Sequence, residues 1–285
     1  MRDHAPDRVR RRRLLPLLAA AAWLVAAAVP GRAPAAPAPP DTVAAAWRDS
    51  LVLAPPAAGT AAELRGFCWL APDTALALLA VPSVPPVPGD SLAPPPRFAP
   101  PDSLVRLVWL APDGTALREA DVTGLVRRGL AWDDTCVWSL TDATPEQPAA
   151  LVRVSLDSLA VVASYPLRGH RPRDVAWDGR AVWVVDRDAA RLVRYDPETG
   201  EPTRSLPTPG FTPTGVAAGA GRLWVCDAGT GRLVRLTAGG RRVTGIVRPS
   251  VFTARGRETG LAWGRGALWC WSPPDLVVRE LVPSP

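Results

Sequence analysis

The sequence has 285 residues, a hydrophobic fraction of 47% and a formal net charge of +6 at neutral pH. Seven of the 33 basic residues and two of the 27 acidic residues lie within residues 1–35, so the rest of the chain has a net charge close to +1. This balance excludes the basic surface that nucleic-acid binding requires. The chain contains no Lys and no Asn, and its two histidines are His4 and His170. Schiff-base lysines and paired-histidine metal sites are therefore excluded.

The N-terminal residues are typical of a secretory signal peptide. An arginine-rich start is followed by an apolar run from Leu14 to Val29 and by the small residues Ala33-Pro34-Ala35. The run of 16 residues is shorter than a membrane-spanning helix needs. We expect residues 1–36 to be a signal peptide, residues 37–49 a Pro/Ala-rich linker, and residues 50–285 one exported domain. This domain is expected in the periplasm or outside the cell, with no membrane attachment after signal removal.

A repeated segment dominates the rest of the chain. Its four clear copies read GLAWDDTCVW from Gly129, DVAWDGRAVW from Asp174, GVAAGAGRLW from Gly215 and GLAWGRGALW from Gly260. The first aromatic position falls at Trp132, Trp177, Ala218 and Trp263, which gives steps of 45, 41 and 45 residues. A period of about 40 to 45 residues is typical of the blades of a β-propeller. The repeat therefore predicts an all-β fold.

The spacing of the copies predicts five blades of four antiparallel strands. A degenerate first copy begins at Gly66, and the last blade lacks a fourth strand before the chain stops. Ser50 to Leu53 would supply that strand and close the ring, which leaves no long exposed edge. Six blades are the alternative, but they would need a complete blade from residues 42–65. Residues 81–102 contain nine prolines and are predicted to be an insertion in blade one.

The aromatic and sulfur-containing side chains of the repeat are expected to be structural. A Trp at one fixed position in each copy predicts packing between adjacent blades. Trp271 lies outside those positions and is predicted to be an exposed aromatic. The four cysteines lie in predicted strands and form no C-x-x-C pair, so we expect them to be buried free thiols: Cys68, Cys136, Cys226 and Cys270.

The copies that begin at Asp174 and Gly215 resemble the NHL and YVTN class of bacterial propeller repeats. This resemblance implies the architecture and leaves the activity open, because the class includes both binding modules and enzymes. The chain is also distantly similar to five-bladed glutamine cyclotransferase-like propellers. Its segment E-T-G-L, from Glu258 to Leu261, resembles a T-x-G-L motif of that family. The acidic catalytic residue of that family is not matched, because the corresponding positions hold Ser139, Val184, Val225 and Cys270.

The residues immediately before each copy are the candidate binding site. In a propeller the loop that leads into each innermost strand lies at the mouth of the central channel. Arg65, Arg128 and Arg173 share this position in the first three copies, while Thr214 and Thr259 occupy it in the other two. Guanidinium groups suit carboxylates and phosphates. We therefore predict a ligand-binding site formed by Arg65, Arg128, Arg173, Asp174 and Glu258, with ordinary surface ion pairing of the arginines as the alternative.

Two functional hypotheses follow. The first is an exported, non-enzymatic propeller that binds a protein or a small anionic ligand at the channel mouth, as a monomer and without cofactor, metal or nucleic acid. The second is a divergent propeller enzyme, either cyclotransferase-like or a glycosidase that uses the carboxylates of Glu63, Asp174 and Glu258. Inverting glycosidases need two carboxyl groups about 6.5 to 9.5 Å apart. The enzyme hypothesis therefore requires such a carboxylate pair at the channel mouth, whereas the binding hypothesis requires the arginines.

Overall fold

The computed structural model describes residues 41–53, 62–81, 104–168, 170–249, 259–273 and 276–283. These residues belong to one compact unit, Pro40–Pro285, and within them the secondary structure consists of β-strands and turns. No helix in these ranges is long and apolar enough to cross a membrane. The predicted signal peptide, most of the insertion at 81–102, and Glu258 lie outside the described residues.

The strands form five blades, each of four antiparallel strands, as the repeat predicted. The first strand, β1, spans Asp41–Val52. Blade one contains β2 (Glu63–Ala71), β3 (Thr74–Val81), β4 (Leu104–Leu110) and β5 (Ala116–Asp121). Blade two contains β6 (Arg128–Trp132), β7 (Val137–Leu140), β8 (Ala150–Val154) and β9 (Val161–Pro166). Blade three contains β10 (Pro172–Trp177), β11 (Val182–Asp186), β12 (Arg191–Tyr195) and β13 (Pro202–Pro207).

The last two blades are joined by the N-terminal strand. Blade four contains β14 (Pro213–Gly219), β15 (Arg222–Asp227), β16 (Arg232–Thr237) and β17 (Val243–Pro249). Blade five contains β18 (Gly260–Gly264), β19 (Ala267–Trp271) and β20 (Val277–Pro283). The strand β1 pairs antiparallel with β20 and thereby completes blade five. The prediction that the N-terminal strand closes the last blade is confirmed, and the ring has five blades rather than six.

The strand β1 is longer than the sequence indicated. Its first residues, Asp41 to Ala45, pair in parallel with Gly245 to Pro249 of β17. Residues 41–49, which the sequence analysis assigned to a linker, therefore lie inside a strand that bridges blades four and five. The sequence offered no sign of this pairing, because the partner strand is about 200 residues away along the chain and parallel pairing leaves no local turn signal.

The insertion in blade one joins two neighbouring strands. Val81, at the end of β3, pairs with Leu104, at the start of β4. The proline-rich segment between them is therefore a connection within one hairpin. Val81 itself belongs to β3, so the insertion begins one residue later than the sequence analysis placed it.

The repeated Trp at the second aromatic position packs between blades, as expected. Trp138 and Trp183 are fully buried, and Trp183 of blade three contacts a cluster that includes Leu223 and Leu236 of blade four. In blades two and three the Asp that follows the first Trp accepts the indole N–H of the second: Asp133 from Trp138 at 2.8 Å and Asp178 from Trp183 at 2.7 Å. The W-D-x₄-W spacing of these copies thus satisfies a polar group that burial would otherwise leave unpaired.

One aromatic prediction is wrong. Trp271 is only 2% exposed, because its ring covers Gly260 and lies 6.1 Å from the ring of Phe67. The neighbouring blade supplies this cover, which the local sequence did not reveal.

Candidate functional site

Four of the five innermost strands begin with an irregular pairing at the channel mouth. In blades one, three and four a register shift leaves one residue of the innermost strand without a partner on the second strand: Arg65, Arg173 and Thr214. In blade two the shift lies between Arg128 and Ala131. A β-bulge of this kind changes the direction of a side chain and is common beside functional sites. The position that the sequence analysis selected is therefore structurally special in these blades.

Four of the five copies begin with Gly, and in blades one and two this Gly is needed because the innermost strands nearly touch there. A Cβ on Gly66 would lie 2.8 Å from Cγ of Leu130, and a Cβ on Gly129 would lie 3.0 Å from Cγ1 of Val175. Gly129 also has a φ of +65°, which disfavours other residues. These close approaches place the first residues of blades one, two and three side by side. Arg65, Arg128 and Arg173 therefore precede adjacent positions in the ring.

Asp174 is the exception among the five copies, and its side chain bridges three blades. Its Oδ1 accepts the backbone N–H of Val175 at 2.9 Å, while its Oδ2 accepts those of Val216 at 3.0 Å and Leu261 at 3.2 Å. These amides lie on the innermost strands of blades three, four and five. The carboxyl group is 2% exposed, and this burial raises its pKa to about 7, although the three amides oppose the shift. Asp174 therefore ties the ring together at the top of its channel.

Arg65 and Arg128 are each held by one carboxylate. Nε and Nη2 of Arg65 donate to Oε2 of Glu63 at 3.2 and 2.9 Å. Nε of Arg128 donates to Oδ1 of Asp142 at 2.7 Å, and its Nη2 lies 2.5 Å from the same oxygen. Both arginine side chains are largely buried, at 11% and 16% exposure. Each carboxylate thus fixes one edge of a guanidinium group.

The other two predicted site residues are less well defined. Arg173 is half-buried and makes an interaction with a partner within the chain. Glu258 lies outside the described residues. The structure therefore brings Arg65, Arg128 and Arg173 to neighbouring positions, while Asp174 is directed into the ring.

A histidine–aspartate pair lies at the same end of the channel, and the sequence analysis missed it. Nδ1 of His170 is 2.5 Å from Oδ2 of Asp186, whose side chain is 2% exposed. Oδ1 of the same carboxylate lies 3.3 Å from the backbone N–H groups of Arg171 and Ala189, which donate to it. Asp227 has the corresponding position in blade four and accepts from Thr212 and Thr230. The sequence shows that an Asp recurs at the end of the second strand, at Asp186 and Asp227. It does not show which loop each carboxylate binds.

The central channel contains a cavity of about 60 Å³. Its walls are the innermost strands, including Trp132, Trp177 and Trp263 at the end opposite the bulges. Pockets for drug-sized molecules are about 300 to 1,000 Å³. This cavity is therefore too small for such a ligand. Among the described residues, no group of three or more His, Cys, Asp or Glu side chains is arranged to hold a metal ion.

Comparison with known proteins supports the fold. Neither protein-family models nor curated proteins give a match. Among solved structures, the glutaminyl cyclase of Myxococcus xanthus is similar at a TM-score of 0.61 and 11% identity, covering 86% of this chain and 98% of that one. The chain shares the propeller fold of this structure. At this identity the likeness shows the fold alone.

Two lyase structures are similar at lower scores. A streptogramin B lyase has a TM-score of 0.46 and 13% identity, covering 83% of this chain and 97% of that one. A catalytically inactive virginiamycin B lyase from Staphylococcus aureus, solved with quinupristin, has a TM-score of 0.43 and 15% identity over 83% of this chain and 99% of that one.

Proposed function

We propose that this protein is an exported binding propeller that holds an anionic group of its ligand at the channel mouth through Arg65, Arg128 and Arg173. The observation that carries this proposal is the way in which Arg65 and Arg128 are held. Each uses Nε and Nη2 to contact a single carboxylate oxygen. A guanidinium group has five N–H donors, so donors remain on each group for a ligand.

The ion pairs favour binding because they orient the arginines before the ligand arrives. A free arginine side chain loses about 2 kcal/mol of rotamer entropy when it is immobilised. Glu63 and Asp142 have already restricted Arg65 and Arg128, so less of this cost remains for ligand binding. Planar donors of this kind suit the two oxygens of a carboxylate or phosphate.

The surface around Arg65, Arg128 and Arg173 carries further arginines. We define the channel-mouth surface as the described segments 62–65, 126–128, 141–149, 167–168, 170–173, 187–190, 208–214 and 228–231. Its arginines are Arg65, Arg127, Arg128, Arg168, Arg171, Arg173 and Arg187, and its acidic residues are Glu63, Asp142, Glu146 and Asp188. Among the exposed and half-buried residues of this surface arginines outnumber carboxylates, while Asp174, Asp186 and Asp227 are buried beneath it. The exposed arginines attract anions, and salt screens this attraction.

The enzyme hypothesis finds less support in the described residues. Glu63 is paired with Arg65, and both oxygens of Asp174 accept backbone amides. A carboxyl group whose two oxygens both accept backbone amides, as in Asp174, is poorly placed to act as a general acid or base on a substrate. We therefore favour binding, with the protein acting as a monomer outside the cytoplasm.

The test compares two triple variants of the mature protein. Citrate and poly-L-glutamate serve as anionic probes, and their dissociation constants are measured by isothermal titration calorimetry at low salt. Replacement of Arg65, Arg128 and Arg173 by Ala should weaken binding by at least about 100-fold, because each lost charge-assisted hydrogen bond contributes about 1.5 kcal/mol or more.

The matched control removes three exposed arginines in or beside the turns at the opposite end of the ring: Arg180, Arg222 and Arg241. This control has the same net charge as the test variant and should retain nearly native affinity. Equal losses in the two triple variants would mean that net charge alone attracts the probes, and native protein that binds neither probe would also refute the proposal. Near-ultraviolet circular dichroism checks that both variants keep the native packing.

A further inference from the structure

Phe211 is the most exposed large apolar side chain among the described residues, at 89% of its surface. It lies on the channel-mouth surface, in the connection from β13 to β14. A fully exposed phenylalanine loses the free energy of burial, which is about 1.5 to 3 kcal/mol for a side chain of this kind. Its position on a charged surface beside a proposed binding site distinguishes it from isolated apolar residues on the outer strands.

The loop that carries Phe211 is held on both sides. Oγ1 of Thr208 donates to the carbonyl oxygen of Gly210 at 2.8 Å, and the backbone N–H of Thr212 donates to Oδ2 of Asp227 at 2.7 Å. The fit is close, since a Cβ on Gly210 would lie 2.2 Å from the Asp227 carboxylate. Asp227 is itself 2% exposed. The exposure of Phe211 is therefore built into a fixed loop rather than the result of a loose one.

A chain of hydrogen bonds connects this loop to the arginines. The backbone N–H of Thr208 donates to the carbonyl oxygen of Ala190 at 2.9 Å, in the turn that also contains Arg187. The N–H of Arg187 in turn donates to the carbonyl oxygen of Arg171 at 3.2 Å. The side chain of Arg171 is 75% exposed and lies 3.2 Å from Asp188. These backbone bonds tie the loop of Phe211 to the turn that carries Arg187 and, through that turn, to the segment that carries Arg171.

We propose that Phe211 is the apolar anchor of a docking surface for an acidic polypeptide segment that carries an aromatic side chain. This inference rests on the proposed function and specifies its partner. Phe211 is open to solvent, and Arg171, on the same channel-mouth surface, is 75% exposed, so a complementary partner presents an apolar ring together with acidic side chains. A fixed aromatic beside arginines has the composition of the energetic centre of a protein interface.

The experiment measures the binding of two probes to the mature protein by calorimetry. Poly-L-glutamate provides negative charge alone, and a random copolymer of glutamate and tyrosine provides charge with aromatic rings. Native protein should bind the copolymer about tenfold more tightly per glutamate, which is the effect of a single aromatic contact at an interface. Phe211→Ala should abolish this preference and leave poly-L-glutamate binding unchanged, while Phe211→Tyr should retain it.

The control is Leu117→Ala, which removes an apolar side chain that is 60% exposed on the outer strand β5. It should keep the native preference for the copolymer. Equal binding of the two probes by native protein would overturn the inference, and so would an equal loss of preference in Leu117→Ala. If light scattering shows a native dimer that Phe211→Ala dissociates, Phe211 packs against a second copy and the inference is also wrong.

Failure of this inference can be told apart from failure of the proposed function. Loss of the arginines Arg65, Arg128 and Arg173 should weaken both probes, whereas loss of Phe211 should affect only the copolymer. If the triple arginine variant binds poly-L-glutamate more weakly while Phe211→Ala binds both probes like the native protein, the anion site is supported and the aromatic anchor is refuted.

Discussion

Asp174 allows a direct test of which of two opposing effects controls a buried carboxyl group. Burial raises its pKa from an ordinary value of 3.8 to about 7, while hydrogen bonds from the amides of Val216, Leu261 and Val175 act in the opposite direction. Because the pKa in the folded protein is higher than in the unfolded chain, ionisation disfavours folding. The stability contribution of this group is therefore fully present below about pH 4 and is lost as the pH rises to about 7.

The size of the effect follows from the two pKa values. The difference between 3.8 and about 7 corresponds to a loss of roughly 4 kcal/mol in the free energy of unfolding between pH 4 and pH 8. Asp174→Asn removes the titration and preserves the size of the side chain. We compare the free energy of unfolding of the native protein with that of Asp174→Asn. The difference, native minus variant, should fall by roughly 4 kcal/mol between pH 4 and pH 8 and stay constant above pH 8. Taking the difference cancels the titration of the other carboxyl groups.

Urea unfolding followed by tryptophan fluorescence at several pH values supplies the measurement, since the chain contains 12 Trp. A difference that is independent of pH, or that rises with pH, would show that the three amides outweigh the loss of solvation, and the argument for a raised pKa would be refuted. Asp174→Ala leaves the amides of Val216 and Leu261 without their acceptor and should cost about 2 to 4 kcal/mol at pH 5.

Three further predictions concern the scaffold. Gly129→Ala should lower the free energy of unfolding by about 2 kcal/mol or more, because the new Cβ would lie 3.0 Å from Val175. Gly266 has a similar positive φ but open surroundings, so Gly266→Ala should lower the free energy of unfolding by only about 1 kcal/mol. Equal losses in the two variants would exclude the packing explanation. Asp227→Ala should lower the free energy of unfolding by about 2 to 4 kcal/mol and speed hydrogen exchange at the backbone amide of Thr212. Asp196→Ala, at an exposed turn, should lower the free energy of unfolding by less. Unchanged exchange at Thr212 would show that Asp227 does not hold the loop. Burial raises the pKa of the thiols of Cys68, Cys226 and Cys270, so a disulfide-exchange reagent should label these three residues only after denaturation. Cys136 is half-buried, against the expectation that all four thiols are buried. Rapid labelling at any of the other three positions in the native protein would contradict their burial.

Part of the candidate site could be predicted because it depends on the repeat. The copies align Arg65, Arg128 and Arg173 at one position, and the structure places a bulge or a register shift at that position in each of their blades. The partners of these arginines could not be predicted in the same way. Arg128 binds Asp142, which lies 14 residues later in the connection after β7, and this pairing depends on how β6 and β7 align.

The architecture follows from the order and spacing of the repeats. The spacing of its Trp positions defines five blades, and the missing strand of the last blade requires the N-terminal strand to complete it, because a propeller must close. These conclusions rest on periodicity and on local turn signals, both of which are properties of neighbouring residues.

The roles of the exceptional residues depend on contacts between blades, which local sequence does not reveal. Asp174 accepts amides from residues 42 and 87 positions further along the chain, so its role exists only once the ring has closed. Phe211 resembles any loop residue until Asp227 and Thr208 are seen to hold its loop, and Trp271 is buried only because Gly260 and Phe67 lie against it. Burial, and with it the pKa of a carboxyl group or the exposure of an aromatic ring, is set by neighbours that are distant in sequence.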